Sequence, residues 1–270
     1  MTDATETADL VLVEVDERVA TMTLNRPDQR NALSRALQRR IEEVVTELEA
    51  DDRIDVIILT GADPAFCAGV DLKELGSSAG TGGDGGNAGL VLPKESSRGP
   101  LPVHTKPIIG AVNGVAVPGG FALALACDFL IASDRARFAD THARVGVMPG
   151  WGLTVLLAEA VGVRRARELS VTGNYIDAEV AASWGLVNHV IRHSDLLPFC
   201  RQLAADIVSN DQAGVRQMLD TYQQVISTTA DEAWDIEAAV SRAWAAEHLD
   251  PAAVEARRLA IVERGRSQQS

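Results

Sequence analysis

Two short, wholly apolar runs constrain the fold of this chain more than any other feature. Residues 56–59 and 108–112 contain only aliphatic residues and one glycine. Runs of this kind are typical of strands that are buried on both faces, as in a parallel sheet. Between and around them lie helical patterns, at 31–49 and, after Gly119-Gly120, at 121–126. Strands and helices therefore alternate, which predicts an α/β fold.

Further patterns divide the chain into two regions. Residues 10–15 and 19–24 have the pattern of a hairpin, and residues 129–132 that of another strand. Beyond residue 194 the patterns are helical, at 196–208 and 231–249. We therefore predict a core at 1–194 that carries the functional site, and a helical region at 195–270 that forms subunit contacts.

Charge and composition argue against several classes of function. The net charge of −13 disfavours binding to nucleic acid, whose phosphates would repel the surface. The three cysteines form no C-x-x-C pair, so neither a disulfide framework nor a zinc site is expected. The sequence offers no signal peptide and no apolar run long enough to cross a bilayer. These features predict a cytoplasmic protein that does not bind nucleic acid, a membrane or a metal ion.

A Gly/Ser-rich segment at 76–99 is expected to be flexible, since it has too few apolar residues to offset its ordering entropy. It contains the hydrolase-like pattern G-x-S-x-G at 76–80. That pattern requires a strand before it and a helix after it, and a glycine-rich tract follows here instead. We therefore reject a serine hydrolase.

Two other glycine sites directly follow apolar runs, at 65–72 and at 113–121. Glycine allows the backbone to approach a ligand closely, and a helix that begins there presents unpaired N–H groups. Two such donors that converge on one point would stabilise a developing oxyanion. Two tight turns without any function would show the same spacing, and spacing alone does not decide between the two interpretations.

The order of motifs over roughly residues 10–190 closely resembles the enoyl-CoA hydratase/isomerase (crotonase) family. The resemblance rests on motifs that occur in the family's order: Asn25-Arg26-Pro27, Arg30-Asn31-Ala32-Leu33, Thr60-Gly61, residues 66–72, residues 106–114, Gly119-Gly120, Ala126-Cys127-Asp128, Phe138-Ala139-Asp140, Thr172-Gly173, Ala178 and Gly185-Leu186-Val187.

This resemblance implies a spiral of ββα turns with a helical C-terminal part that builds trimers or hexamers. It implies an acyl-CoA or enoyl-CoA thioester as ligand, with coenzyme A entering as part of the substrate and no separate cofactor. The backbone N–H groups of Val70 and Gly119 would form the oxyanion hole. Residues Ala68, Gly69, Asp71 and Leu72 would line the CoA channel. Arg26, Arg30 and Lys73 would meet the CoA phosphates, or would be ordinary surface charges.

The sequence departs from the family at both catalytic carboxylates. A family hydratase has one glutamate three residues after the oxyanion-hole glycine, where this chain has Ala122. The other glutamate aligns with His142, and Asp140 lies two residues earlier. Histidine suits proton transfer near neutral pH, and Asp140 could orient or replace it. His142 could equally be a structural or exposed residue.

These observations favour an acyl-CoA enzyme that forms an enolate in the oxyanion hole. Loss of both glutamates should impair water addition, whereas proton abstraction beside the thioester needs one base only. We therefore expect a weak or altered hydratase, or an isomerase, with His142 or Asp140 as the base. The alternative is an acyl-CoA-binding protein without catalytic activity. Trp151 could line the acyl pocket or belong to the core.

Overall fold

The protein forms a mixed α/β structure, as the alternating pattern predicts. The computed structural model describes residues 10–71 and 99–248. Its strands in chain order are β1 (Val11–Asp16), β2 (Val19–Leu24), β3 (Val56–Gly61), β4 (Ala65–Cys67), β5 (Ile108–Val112), β6 (Val115–Ala116), β7 (Phe129–Ser133), β8 (Arg137–Phe138), β9 (Ile176–Asp177) and β10 (His189–Ile191).

Helices alternate with these strands at first and then follow one another. They are α1 (Arg35–Ala50), α2 (Gly119–Leu125), α3 (His142–Val145), α4 (Leu153–Val161), α5 (Val163–Thr172), α6 (Ala178–Ser183), α7 (Leu196–Val208), α8 (Gln212–Ile226) and α9 (Ala230–His248).

The larger sheet has six strands in the order β1-β2-β3-β5-β7-β10. The hairpin of β1 and β2 is antiparallel, and the remaining pairs are parallel. Every residue of β3 and β5 is buried. Alternate residues of β3 face opposite sides: Ile57 belongs to the core cluster that includes α1, and Ile58 to the cluster that includes α7. Burial on both faces explains why these strands are apolar throughout.

The smaller sheet has the order β4-β6-β8-β9. Strands β4, β6 and β8 run parallel to one another, and β9 pairs antiparallel with β8. Each of the three parallel strands is followed by one of the segments in which the sequence predicts functional residues. This sheet therefore determines where those segments meet.

Two predicted helices have different starting points in the structure. The helix predicted at 31–49 begins at Arg35, after Ser34, whose hydroxyl accepts the N–H of Leu37. Such a serine cap ends the preceding extended chain and satisfies a free N–H group. Just before it, Leu33 pairs with Val70, whereas Asn31 has a φ of +56° in the left-handed region. The helix predicted at 121–126 begins at Gly119.

The chain is helical from Leu196 to the end of the described part at His248, apart from short connections. Its contacts divide it after Val215 into two compact units, residues 1–215 and 216–270. The predicted boundary at residue 194 and the role of residues 195–270 in oligomerisation stay predictions. Most of the predicted flexible loop at 76–99 lies outside the described residues. Among those that are described, no helix is long and apolar enough to cross a membrane.

Candidate active site

Three segments of the candidate site leave the smaller sheet at one edge. Val70 lies three residues after the end of β4, Gly119 three residues after β6, and Asp140 two residues after β8. The three strands are parallel neighbours, with Val115 opposite both Ala65 and Arg137. The carboxyl ends of parallel strands meet at the same edge, where α/β proteins commonly bind ligands. The sheet thus brings together residues that the sequence separates widely.

The first two of these segments are interlocked through their backbones. The N–H of Val117 donates to the carbonyl of Cys67 at 3.1 Å. A Cβ atom at Gly120 would lie only 2.2 Å from the same carbonyl oxygen. Gly69 has a φ of +83°, and a Cβ there would lie 2.4 Å from the carbonyl oxygen of Val117. Only glycine allows this approach at positions 69 and 120, so the motif glycines have a packing role.

The amides of Val70 and Gly119 lie close together at this junction. A Cβ atom at Gly119 would be 3.4 Å from the Val70 nitrogen. Leu33 pairs with the residues on either side of Val70, donating to the carbonyl of Gly69 and accepting from the N–H of Asp71. Because hydrogen-bonding groups alternate along a strand, the Val70 N–H points away from Leu33. Gly119 is the first residue of α2, where the N–H has no partner within the helix.

The third segment holds a histidine–aspartate pair. His142 Nδ1 lies 2.6 Å from Asp140 Oδ1, and the backbone N–H of His142 also donates to that oxygen, at 3.2 Å. Burial opposes ionisation of Asp140, but hydrogen bonds from His142 and Ser170 outweigh it and lower the pKa of its carboxyl. An ionised carboxylate can only accept, so Nδ1 carries the proton that it donates. In a neutral imidazole with this tautomer, Nε2 is the nitrogen that accepts a hydrogen bond.

The short helix α3 is also anchored at its other end. Arg144 Nη2 donates to Asn174 Oδ1 at 3.0 Å and approaches the carbonyl of Thr172 at 3.4 Å. Thr172 ends α5, so the guanidinium lies where the negative end of that helix dipole favours a cation. Ser170, which donates to Asp140, belongs to the same last turn of α5. The last turn of α5 therefore holds the segment that carries His142.

Three further residues considered for the candidate site are apolar or unreactive. Ala122 is buried in α2, 2% exposed, and has no group that could transfer a proton. Cys67 is fully buried, and that burial raises the pKa of its thiol to about 12. Such a thiol is protonated at neutral pH, which excludes it as a nucleophile. Trp151 is 7% exposed and belongs to the hydrophobic core cluster, so it has at least a packing role.

The residues predicted to contact coenzyme A have different surroundings. Ala68 and Asp71 are half-buried and flank Gly69 and Val70, and the Ala68 N–H donates to the carbonyl of Arg30. The side chain of Arg30 is at an exposed position. Arg26 forms an ion pair with Asp71, with Nη2 and Oδ2 3.2 Å apart. Leu72 and Lys73 lie outside the described residues, and the phosphate-binding role of the arginines stays a prediction.

Asn31 and Ser170 also belong to the candidate site, although the sequence analysis assigned no role to either residue. The amide of Asn31 is fully buried and donates to the carbonyls of Ala62 and Ala65, at 2.8 and 2.7 Å. Its oxygen accepts the N–H of Arg26 at 2.9 Å. The available signal for Asn31 was its place in the motif Arg30-Asn31-Ala32-Leu33, which carries the family resemblance. No local signal marks Ser170, because its contact with Asp140 is long-range.

The other described histidines have surroundings that suit structural roles. His193 bridges Ser133 and Asp63, with both contacts at 3.0 Å. Ser133 is fully buried and the Asp63 side chain is exposed, so His193 links a core residue to the surface. His104 contacts the carbonyl of Pro102, and His189 packs edge-on against Phe199. Within residues 10–71 and 99–248, no group of three or more His, Cys, Asp or Glu residues could hold a metal ion.

Comparison with known proteins identifies the relatives of this chain. The family model described as enoyl-CoA hydratase/isomerase matches residues 14–255. The short-chain-enoyl-CoA hydratase of Clostridium acetobutylicum is 37% identical over 207 residues, which cover 76% of this chain and 78% of that protein.

Solved structures show the same relationship. The enoyl-CoA hydratase of Mycobacterium tuberculosis H37Rv is 49% identical, with a TM-score of 0.71 and coverage of 87% of this chain and 97% of the other. The enoyl-CoA hydratase of Bacillus anthracis is 31% identical, with a TM-score of 0.75 and coverage of 86% and 90%. The resemblance in the motifs and the predicted crotonase-type fold are thus confirmed, and the chain belongs to the enoyl-CoA hydratase/isomerase family.

Proposed function

We propose that this protein acts on an acyl-CoA or enoyl-CoA thioester through an enolate, with His142 as its single acid–base group. The observation that carries the proposal is the His142–Asp140 pair, 2.6 Å apart, on the same sheet edge as the Val70 and Gly119 amides. Its relatives named as enoyl-CoA hydratases support the substrate class.

The proposed chemistry starts with a C–H bond beside the thioester carbonyl. His142 Nε2 takes the proton, and the electron pair moves to the carbonyl oxygen, which accepts hydrogen bonds from Val70 and Gly119. Return of the proton to the γ-carbon would convert a 3-enoyl into a 2-enoyl thioester. A positioned base contributes about 10²–10⁴-fold and each oxyanion donor about 10²–10³-fold. Together these groups suffice for isomerisation.

Ala122 makes efficient hydration the weaker part of the proposal. Hydration needs one group to activate water and another to protonate the α-carbon, and position 122 supplies neither. We therefore favour an isomerase or a weak, altered hydratase. The buried alanine also supports the second candidate, an acyl-CoA-binding protein without catalysis. The hydrogen-bonded His142–Asp140 pair favours the enzyme.

The remaining parts of the proposal concern binding and assembly. Residues 68–72 would line the CoA channel, and Arg30 would approach a CoA phosphate from its exposed position. The C-terminal helices would form a trimer or hexamer. Exposed apolar residues on α8 and α9 support that assembly, namely Met218, Tyr222, Ile226 and Trp234.

The test is turnover of a panel of 2-enoyl-CoA and 3-enoyl-CoA thioesters, followed by mass spectrometry. We expect the wild type to convert 3-enoyl to 2-enoyl thioesters and to add water slowly. Ala122→Glu should restore a second carboxylate at the family position and raise hydration by about 10-fold or more. Binding of thioesters without any turnover by the wild type would replace the enzyme with the binding protein.

A further inference from the structure

Arg26 contacts two chain segments next to the proposed oxyanion hole, one at Ala32 and the other at Asp71. It follows the end of β2, and its side chain is 17% exposed. One guanidinium nitrogen, Nη2, contacts Asp71 Oδ2 at 3.2 Å. The other, Nη1, donates to the backbone carbonyl of Ala32. The side chain of Asp71 is only 12% exposed, so water screens this ion pair less than one at the surface.

The two partners of Arg26 lie next to the backbone pairing that orients Val70. Ala32 precedes Leu33, and Asp71 follows Val70. The N–H of Leu33 donates to the carbonyl of Gly69 at 2.7 Å, and its carbonyl accepts from Asp71 at 3.2 Å. Arg26 therefore contacts both of the segments that form this short pairing. A planar guanidinium suits two simultaneous contacts in a way that a lysine does not.

We propose that Arg26 is a positioning residue that fixes the Val70 N–H toward the thioester oxygen through its contacts with Asp71 and Ala32. This inference rests on the proposed function and assigns Arg26 a role other than binding CoA phosphate. A guanidinium already paired with a carboxylate offers a phosphate less net charge. Oxyanion-hole donors act through their preorganised direction, so small displacements have large effects on rate.

The test measures the carbonyl stretching frequency of ¹³C=O-labelled 2-butenoyl-CoA bound to the protein. Hydrogen bonds to the carbonyl lower this frequency, and the shift is present whether or not the thioester reacts. We expect a clear shift with the wild type and loss of most of it in Arg26→Ala. Asp71→Asn should lose part of the shift. In turnover, Arg26→Ala should lower kcat by roughly 10–100-fold with little change in KM.

Two comparisons separate positioning from phosphate binding and from a general loss of stability. The same fold-change in kcat is expected with 3-butenoyl-pantetheine, a 3-enoyl thioester that lacks the nucleotide phosphates. Arg18→Ala is the matched control, because Arg18 pairs with Asp55 at the opposite ends of β2 and β3. It should keep the carbonyl shift. If Arg26→Ala does not fold, Arg26→Lys decides, since lysine keeps the charge but cannot hold both partners.

The possible results contradict different parts of the proposal. A full carbonyl shift in Arg26→Ala, or in Arg26→Lys if that variant decides, overturns the inference and leaves the oxyanion hole intact. A raised KM for the CoA thioester, absent with the pantetheine thioester, would make Arg26 a phosphate ligand instead. No shift with the bound wild type would remove the oxyanion hole itself, and with it both the inference and the proposed function.

Discussion

The segments of the proposed oxyanion hole and the segment of the proposed acid–base group leave the same sheet edge but are held in different ways. Residues 67–70 and 117–120 are joined by backbone contacts so close that Gly69 and Gly120 leave no space for a Cβ atom. Residues 140–145 depend on side chains, through His142, Asp140 and Arg144. The proposed donors are therefore held by close backbone packing, whereas the proposed base is held by side-chain contacts.

The largest effect should come from adding a side-chain atom where the two backbone segments are packed most closely. Gly120→Ala would place a Cβ 2.2 Å from the Cys67 carbonyl oxygen, so the start of α2 or the end of β4 must move. We expect a loss of about 2–3 kcal/mol in unfolding free energy and loss of turnover. Urea denaturation measures the former. Gly150→Ala, which meets nothing within 4 Å, is the control and should change stability by less than about 0.5 kcal/mol.

The second-largest effect is expected from removing the proposed base, which lies in residues 140–145. His142→Ala should lower turnover by about 10²-fold or more, with a loss of only about 1–2 kcal/mol in stability. Steady-state kinetics and urea denaturation on the same preparation show both. His189→Ala, at an exposed position on β10, is the matched histidine control. Undiminished turnover in His142→Ala would rule out the proposed base.

A smaller effect concerns the pH dependence of stability at Asp140. Its pKa is lowered in the folded protein, so its ionised form contributes stability above the unfolded pKa of about 3.9. That contribution is lost as the pH falls through the lower, folded pKa. Asp140→Asn should therefore be less stable than the wild type at pH 7, and the difference should shrink below about pH 4. A difference that is constant from pH 7 to pH 3 would contradict this linkage.

The smallest effect is expected at the far end of α3. Arg144→Ala removes the contacts with Asn174 and the end of α5. Because the residue is exposed, we expect a loss of about 0.3–1 kcal/mol in stability. Turnover should fall by only a few-fold, because His142 keeps its bond to Asp140. Arg53→Ala, at another exposed arginine, is the control. A loss of turnover in Arg144→Ala as large as in His142→Ala would show that the position of His142 depends on Arg144.

The sequence predicted the parts of the fold that depend on local patterns. The buried strands and the helix at 196–208 are found where their apolar patterns indicate. The start of α1 was predicted four residues too early, because the apolar spacing that begins at Leu33 outweighed the capping signal of Ser34. The extended conformation of Leu33 depends on pairing with Val70, a long-range contact that no local pattern contains.

The candidate site shows the same limit. The glycine motifs indicated close backbone approaches, and the structure has them at Gly69 and Gly120. The partners of the functional side chains come from distant positions, as with Arg26 and Asp71 or with Asp140 and Ser170. Such pairs depend on strand order, so they become visible only once the sheet is assembled.

The position of the proposed donors in the peptide backbone has a consequence for how new activities could arise in this chain. A side-chain substitution can remove a base, but no substitution other than proline deletes the N–H group of Val70 or Gly119. Positions 122, 140 and 142 can therefore be randomised together without removing the two proposed donors. If these donors act as proposed, selection from such a library would need to supply only new groups for proton transfer.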